Sequence, residues 1–436
     1  MSRFDARRLA LDVLLRVEEG AASDRALDRA LRRSGFAADD RGLATELVYG
    51  VLRRRAGIDR LLAPHSKRPL ASLDAPALNA LRLGAYQIEY LDRIPAHAAV
   101  DASVEAVKAH TRSAAGFVNA VLRALLRARS GRADGSADPW SEVPGWWAER
   151  WRQRYGDAGG AWLAATLEPA PLVMRPHPRI MPAPELVAAL AEEGIDVEPE
   201  PVAPGALRVI AGQPTASPLL RRHAFALRGA ASQLVAALLP VASGDRVLDA
   251  CAGRGGKTLQ VAEDHDAGLV VAADVSAWRA VACRREARAA GIAEVHAVVA
   301  DMAQEAPFRR LFEAVLVDAP CSGLGTVRRR PELRWRNDPQ RLARLAELQR
   351  AILSSAVEVT APGGVLLYAT CSTEPEENEQ VVAAVLAAHD DLAARAIELP
   401  AGLDARLVGV DGFLRTYPTF PDMDGFFAAL LVKSVL

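Results

Sequence analysis

From Ala6 to about Arg129 the apolar residues recur three and four positions apart: Leu9, Val13, Leu14 and Val17, then Leu27 and Leu31, then Leu43, Leu47 and Val51. A helix gathers such positions onto one face, and no β-like alternation interrupts them. Gly20, Gly35, Pro64, Pro76 and Pro95 break the pattern into roughly five to seven helices. An all-α domain over residues 1–130 is therefore expected. Residues 131–145 lose the periodicity, are rich in Gly, Ser, Asp and Pro, and read as a linker. Trp146, Trp147, Trp151 and Trp162 then crowd the helical stretch Gly145 to Leu167. Because Trp147 and Trp151 are one helical turn apart, they read as packing anchors rather than as platforms for bases. Two strand candidates, Leu172-Val-Met-Arg175 and Leu207-Arg-Val-Ile210, flank a helix from Ala183 to Glu193, so residues 146–225 form a small α+β module.

The remainder, residues 226–436, has a different rhythm. Five short apolar runs each end in a polar or reactive residue: Arg246-Val-Leu-Asp-Ala250, Gly268 to Asp274, Val295 to Asp301, Ala314 to Asp318, and Gly364 to Thr370 just before Cys371. Helical stretches separate them, which is the pattern of an α/β domain with a parallel sheet. Such sheets bind ligands at the carboxyl ends of their strands. Two final runs, Gly412 to Tyr417 and Gly425 to Val432, are joined by a Pro/Asp turn and read as an antiparallel pair.

After the first run comes a glycine turn, Cys251-Ala252-Gly253-Arg254-Gly255-Gly256-Lys257, opening a helix. Its glycines let backbone approach a ligand, and the helix start offers unpaired N–H groups. Asp274 closes the next run at roughly the 20-residue spacing of an acid that binds ribose hydroxyls. A nucleotide-hydrolysing phosphate loop is excluded by one residue. Its first glycine would stand five positions before Gly256, where this chain has Cys251.

The four cysteines, at 251, 283, 321 and 371, have no close pair, so neither a disulfide framework nor a metal site is expected. Cys251 and Cys283 read as packing residues. Cys321 and Cys371 directly follow strands at the ligand edge, which suggests paired chemical roles. One reaction that needs two thiols is methylation of cytosine carbon 5, a carbon too electron-poor to attack a methyl donor unaided. A thiolate adding to carbon 6 makes carbon 5 nucleophilic, and a second group then drives release. Asp318 could hydrogen-bond the ring nitrogen.

These residues resemble a known family. Leu248-Asp-Ala-Cys-Ala-Gly-Arg-Gly-Gly-Lys-Thr258, Asp318-Ala-Pro-Cys-Ser-Gly-Leu-Gly-Thr326, Tyr368-Ala-Thr-Cys-Ser-Thr373, Glu376-Glu-Asn-Glu379 and Asp424-Gly-Phe-Phe-Ala428 look like the motifs of the Nop2/Sun RNA cytosine-C5 methyltransferases. The resemblance implies a class I, Rossmann-like methyltransferase domain with Cys371 as nucleophile and Cys321 as product-release or base residue. It also implies S-adenosylmethionine at residues 251–257, Asp274 on its ribose, Asp301 near its adenine, and Asp318 close to both methyl group and cytosine. Asp40 to Arg53 and Phe117 to Arg123 are similar to the NusB-like RNA-binding domain found in one bacterial subgroup, the small-subunit (16S) rRNA methyltransferases of the RsmB, Fmu or Sun type. The chain departs from the family at Arg254, where proline is usual, at Arg228-Gly-Ala-Ala-Ser-Gln233, and at Arg175-Pro-His177.

Composition changes this picture in one respect. The net charge is only −1, yet residues 1–130 hold 22 Lys and Arg against 15 Asp and Glu, leaving an acidic remainder. A basic first domain suits RNA phosphates, with Arg53-Arg-Arg55, Lys67-Arg68, Arg123, Arg127 and Arg129 as the expected surface. The run Arg328 to Arg336, just after Cys321, suggests contact with a flipped nucleotide. No run approaches the roughly 20 apolar residues of a spanning helix, and the first residues do not read as a signal peptide. A cytoplasmic monomer acting on 16S rRNA, free or in early assembly, is expected, without DNA or membrane partners. The alternatives are methylation of tRNA or of another rRNA cytosine, and a non-catalytic RNA-binding or antitermination role.

Overall fold

The structure is a computed structural model describing residues 5–128, 138–419 and 422–435. Residues 131–137 of the expected linker, and Arg129, lie outside the described residues. The chain forms two compact units, the first comprising Met1–Pro169 with Val327–Arg336, the second Ala170–Thr326 with Asn337–Leu436.

The first unit is all-α. Seven α-helices are described between Asp5 and Ala128, and an eighth, Gly145–Ala165, follows. The helical periodicity buries one stripe of most of them, and Ala75–Tyr90 is buried all round from Asn79 to Ile88, so Leu11, Leu14, Leu47, Ile58, Leu81, Leu83 and Leu122 meet in a common core. Helices approach closely at Gly50, where a β-carbon would stand 2.0 Å from the Tyr86 ring. Trp147 and Trp151 are buried with ring centroids 5.0 Å apart, as anchors should be.

The segment Val327–Arg336 belongs to this unit, which corrects the reading of its arginines as nucleotide contacts. Arg334 is fully buried and donates to Arg53 O at 3.2 Å, Thr166 O at 2.8 Å and Thr166 Oγ1 at 2.7 Å. Arg336 donates to Val17 O and Ala21 O, and the Glu332 carboxylate accepts from Ser23 N and Ser23 Oγ. Helix carbonyls without intrahelical partners need donors, and these guanidinium groups supply them. Arg53, Arg54 and Arg55 are likewise engaged with protein: Arg54 pairs with Glu168, and Arg55 lies over the Trp335 ring. Burial lowers the pKa of Arg53. Lys67, Arg68, Arg123 and Arg127 remain exposed.

The second unit opens with a four-stranded antiparallel sheet of β1 (Val173–Pro176), β2 (Asp196–Pro199), β3 (Leu207–Ala211) and β4 (Phe225–Leu227), ordered β2-β3-β1-β4, with a helix over Ala183–Glu192. Two of its strands, β2 and β4, are too short and too polar or too brief in pattern to have been read from sequence. The sheet that follows comprises β5 (Arg246–Asp249), β6 (Leu269–Asp274), β7 (Val295–Val299), β8 (Phe312–Asp318), β9 (Thr360–Thr370), β10 (Leu392–Arg395), β11 (Leu414–Thr416) and β12 (Phe426–Lys433). The order is β10-β12-β9-β8-β5-β6-β7, with β11 paired to β12. Strands β5 to β9 run parallel, while β12 is antiparallel to β9. Apolar runs such as Val315 to Val317 and Leu366 to Ala369 are buried on both faces, as a sheet covered by helices requires. The five expected strands are all present, and their carboxyl ends share one edge. Among the described residues no helix is long and apolar enough to cross a membrane.

Candidate active site

At the end of β5 the chain turns sharply, with Gly253 at φ +56° and Gly255 at φ +85°, conformations that side chains rarely adopt. A β-carbon at Gly253 would meet nothing within 4 Å, so the turn has open space on that side. One at Gly255 would stand 2.6 Å from Cys283 Sγ, so Cys283 is packed behind the turn. Burial pushes the Cys283 thiol up to about 12, and the same effect raises Cys251 well above the thiol range. Neither is set up as a nucleophile. Asp249 braces the turn from below: its carboxyl accepts from Thr258 Oγ1 at 2.6 Å and Cys251 N at 3.3 Å. Burial pushes its pKa up to about 7. Asp274, at the end of β6, accepts from Gly253 N at 3.0 Å and Ser276 N at 2.8 Å. Asp301 is exposed beyond the end of β7. Arg254 lies on the outside of the turn, 3.5 Å from Glu286. Arg228 is half-buried beside Gly256, with its Nη1 enclosed, and loss of solvent pushes its pKa down to about 10.

The two thiols meet at the ends of the central strands. Asp318 of β8 is paired in register with Ala369 of β9, so the loops that begin at Ala319 and Cys371 leave the sheet side by side. Cys321 Sγ lies 3.2 Å from Cys371 Sγ. That hydrogen bond, with burial, raises the Cys321 pKa well above the ordinary thiol value. Asp318 Oδ2 accepts from Lys257 Nζ at 2.6 Å, and the ammonium also stands 5.4 Å from the Phe426 ring centroid. Lys257, the last residue of the Cys251–Lys257 glycine turn, is thus engaged by Asp318.

Three loops close over this pair. Gly325 N donates to Cys371 O at 3.0 Å, and Gly425 N donates to Gly325 O at 2.7 Å. Beneath them the Glu377 side chain is fully buried and bound to the serines that follow each cysteine.

A protein from Thermus thermophilus, ribosomal RNA small subunit methyltransferase B, is 38% identical to this chain over 93% of each. A probable ribosomal RNA small subunit methyltransferase B of Bacillus subtilis is 32% identical over 99% of this chain and 100% of that one. Residues 236–432 match the family model for the 16S rRNA methyltransferase RsmB/F, residues 5–127 the NusB family, and residues 143–216 the ferredoxin-like domain of RsmF/B-like methyltransferases. The chain belongs to the RsmB/F family of rRNA methyltransferases. Its fold is also that of the crystal structure of PH0851, at a TM-score of 0.86 with 24% identity over 99% of both chains. A NusB-like domain, a ferredoxin-like module and a Rossmann-like methyltransferase domain therefore follow one another, in the all-α, α+β and α/β order that the apolar pattern indicated.

Within this RsmB/F methyltransferase the structure brings together Cys321, Cys371, Asp318 and Lys257, and separately the glycine turn with Asp274. Asp301 touches neither group through any hydrogen bond described; its Oδ1 accepts from Ala303 N. Sequence reading gave no role to Ser322, Ser372, Gln349 or Glu377. The signal was present in the repeated Cys-Ser doublet, at 321–322 and 371–372, but only the fold shows that both serines reach one carboxylate.

Proposed function

We propose that this chain methylates carbon 5 of a cytosine in 16S rRNA through a covalent adduct between Cys371 and carbon 6. The 3.2 Å separation of the two thiols carries the reading, because it puts two sulfur groups within reach of one small ring. Cys371 takes the nucleophile's role by the Thr-Cys motif in which it stands, and the hydrogen bond to it, with burial, raises the Cys321 pKa well above the ordinary thiol value. Addition of Cys371 to carbon 6 turns carbon 5 into an enamine-like carbon that accepts the methyl group. Cys321, once it has lost its proton to solvent, then takes the carbon 5 proton, the carbon 5–carbon 6 double bond re-forms, and Cys371 leaves as a thiolate. Asp318 is oriented by Lys257 through Oδ2, which leaves Oδ1 to steady the ring nitrogen.

The residues fit S-adenosylmethionine, which supplies the methyl group when bound. The open space at Gly253, the helix start at Gly256 and the buried Asp274 carboxylate supply a cradle of backbone donors and an acceptor for ribose hydroxyls. Asp301, exposed one strand further out, suits the adenine end. Exposed Lys67, Arg68, Arg123 and Arg127 suit phosphates of the RNA.

The test mixes deproteinised small-subunit rRNA and S-adenosylmethionine with wild type, Cys321→Ala and Cys371→Ala, then looks for an SDS-stable protein–RNA adduct. Accumulation only with Cys321→Ala is expected, and sequencing the attached RNA identifies the cytosine. Accumulation only with Cys371→Ala reverses the two roles. A tRNA that forms the adduct where rRNA does not would replace the substrate.

A further inference from the structure

Beyond Ala319 N, which donates to Ala369 O at 2.9 Å, the loops bearing Cys321 and Cys371 no longer share the strand ladder. Two direct contacts cross between them, Gly325 N to Cys371 O at 3.0 Å and Ser322 Oγ to Ser372 Oγ at 3.2 Å, and a third tie lies on Glu377. Glu377 Oε1 accepts from Ser322 N at 2.7 Å and Gln349 Nε2 at 3.0 Å. Its Oε2 accepts from Ser322 Oγ and from Ser372 Oγ, each at 2.5 Å. These are four neutral donors on one fully buried side chain, and a carboxylate offers about four acceptor sites and no proton to interfere. Ser322 adjoins Cys321 and Ser372 adjoins Cys371, so the carboxylate is one residue removed from each thiol.

We propose that Glu377 is the positioning residue of the two-thiol site, tying the Cys321 loop to the Cys371 loop through Ser322 and Ser372 so that the two sulfurs stay in register. Its importance for catalysis rests on the two-thiol reading above; the positioning itself does not. The neighbours support the assignment. Gln349 Nε2 also donates to Pro320 O, and Asn378 Nδ2 donates to Ser372 O at 3.0 Å, so both loops are tied to the same buried layer. Tyr368 Oη donates to the Glu377 carbonyl, fixing the backbone that presents the side chain. A buried negative charge behind the thiols also disfavours their ionisation, and Glu377 is among the groups that raise Cys321.

The experiment uses the full chain without RNA or methyl donor. Phenylarsine oxide closes a ring across two adjacent thiols, forming two As–S bonds and releasing one water, without oxidation or reduction. Wild type should bind it, and Glu377→Ala should bind at least ten-fold more weakly. Should Glu377→Ala fail to fold, the double variant Ser322→Ala, Ser372→Ala makes the same cut and should lose affinity alike. Tyr368→Phe, which loses a hydrogen bond in the same layer without cutting the link, should bind as wild type does even if it unfolds more readily. Glu377→Gln keeps the shape but removes the charge, so the pH midpoint for alkylation of the thiols should fall by about one unit, a change that loosened packing alone does not produce. Wild-type arsenical affinity in both the alanine variant and the serine double variant would overturn the proposal. If arsenical binding behaves as expected while Cys321→Ala forms no RNA adduct, the catalytic reading fails and the positioning stands.

Discussion

Cys321 and Cys371 are 50 residues apart in sequence and 3.2 Å apart at sulfur. The separation is shorter than two unlinked sulfur atoms adopt without a hydrogen bond, and the adjacency of β8 and β9 in the parallel sheet brings together the two loops that carry them.

Two thiols so placed should be the first to oxidise. One equivalent of hydrogen peroxide converts them to a disulfide with release of two waters. Peptide mapping should then recover a Cys321–Cys371 cross-link, methyl transfer should stop, and dithiothreitol should restore it. Cys283, buried behind the glycine turn, should stay reduced. A cross-link to Cys251 or Cys283 instead would contradict the geometry.

The clasp between Gly325 and Gly425 leaves no space. A β-carbon at Gly325 would stand 1.9 Å from the Gly425 carbonyl oxygen, which is backbone and cannot swing aside. Gly325→Ala must therefore push the Cys321 loop away from β12. Methyl transfer should drop roughly a hundred-fold, since small displacements of reacting groups have that effect, with a stability loss of about 1–3 kcal/mol by urea denaturation. Wild-type turnover in this variant would show that the three loops are not held as one.

Asp249 links the glycine turn to pH. Its folded pKa, about 7, lies above the ordinary aspartate value of 3.8, so the folded state holds a proton that the unfolded chain has released. Its contribution is fully present below about pH 4 and is lost as the pH rises through about 7, amounting to up to about 4 kcal/mol over that window. Asp249→Asn cannot ionise, so its stability should fall less between pH 4 and 8 than that of wild type. Parallel curves from chemical denaturation would rule this out.

The arginines of the helical unit divide by burial. Arg334 is fully buried with three hydrogen bonds, and its pKa is pushed down to about 9 by loss of solvent. Arg334→Ala should destabilise the protein by about 3 kcal/mol. Arg123 and Arg127 are exposed, and reversing both to Glu should change stability by about 0.5 kcal/mol or less. The same reversal should weaken binding to rRNA and flatten its salt dependence, measured by filter binding at several salt concentrations. Unchanged RNA affinity would remove this surface from the RNA footprint.

The strands at the ligand edge were legible because each is a short apolar run with a functional residue at its end, a local pattern that the parallel sheet reproduces directly. The helical unit was legible for the same reason at a different period. Arg328 to Arg336 misled because charge is a local property and burial is not. Nine residues, five of them Arg, look solvated until a folded partner supplies carbonyl acceptors such as Thr166 O and Val17 O. The pairing of Lys257 with Asp318 was not legible either, since it spans 61 positions of chain. Glu377 was quoted within a motif yet had no role, because its donors come from three separate segments.

The passage of the chain out of the second unit at Thr326 and back at Asn337 has a consequence for synthesis. Ser23 finds its acceptor in Glu332, and the carbonyls of Val17, Arg53 and Thr166 find their donors in Arg334 and Arg336. A growing polypeptide that has reached only Pro169 therefore carries these groups without the partners they will have at the end. The helical unit comes off the ribosome incomplete and is finished only when a stretch made much later is threaded into it, so the order of translation and the order of completion differ in this protein.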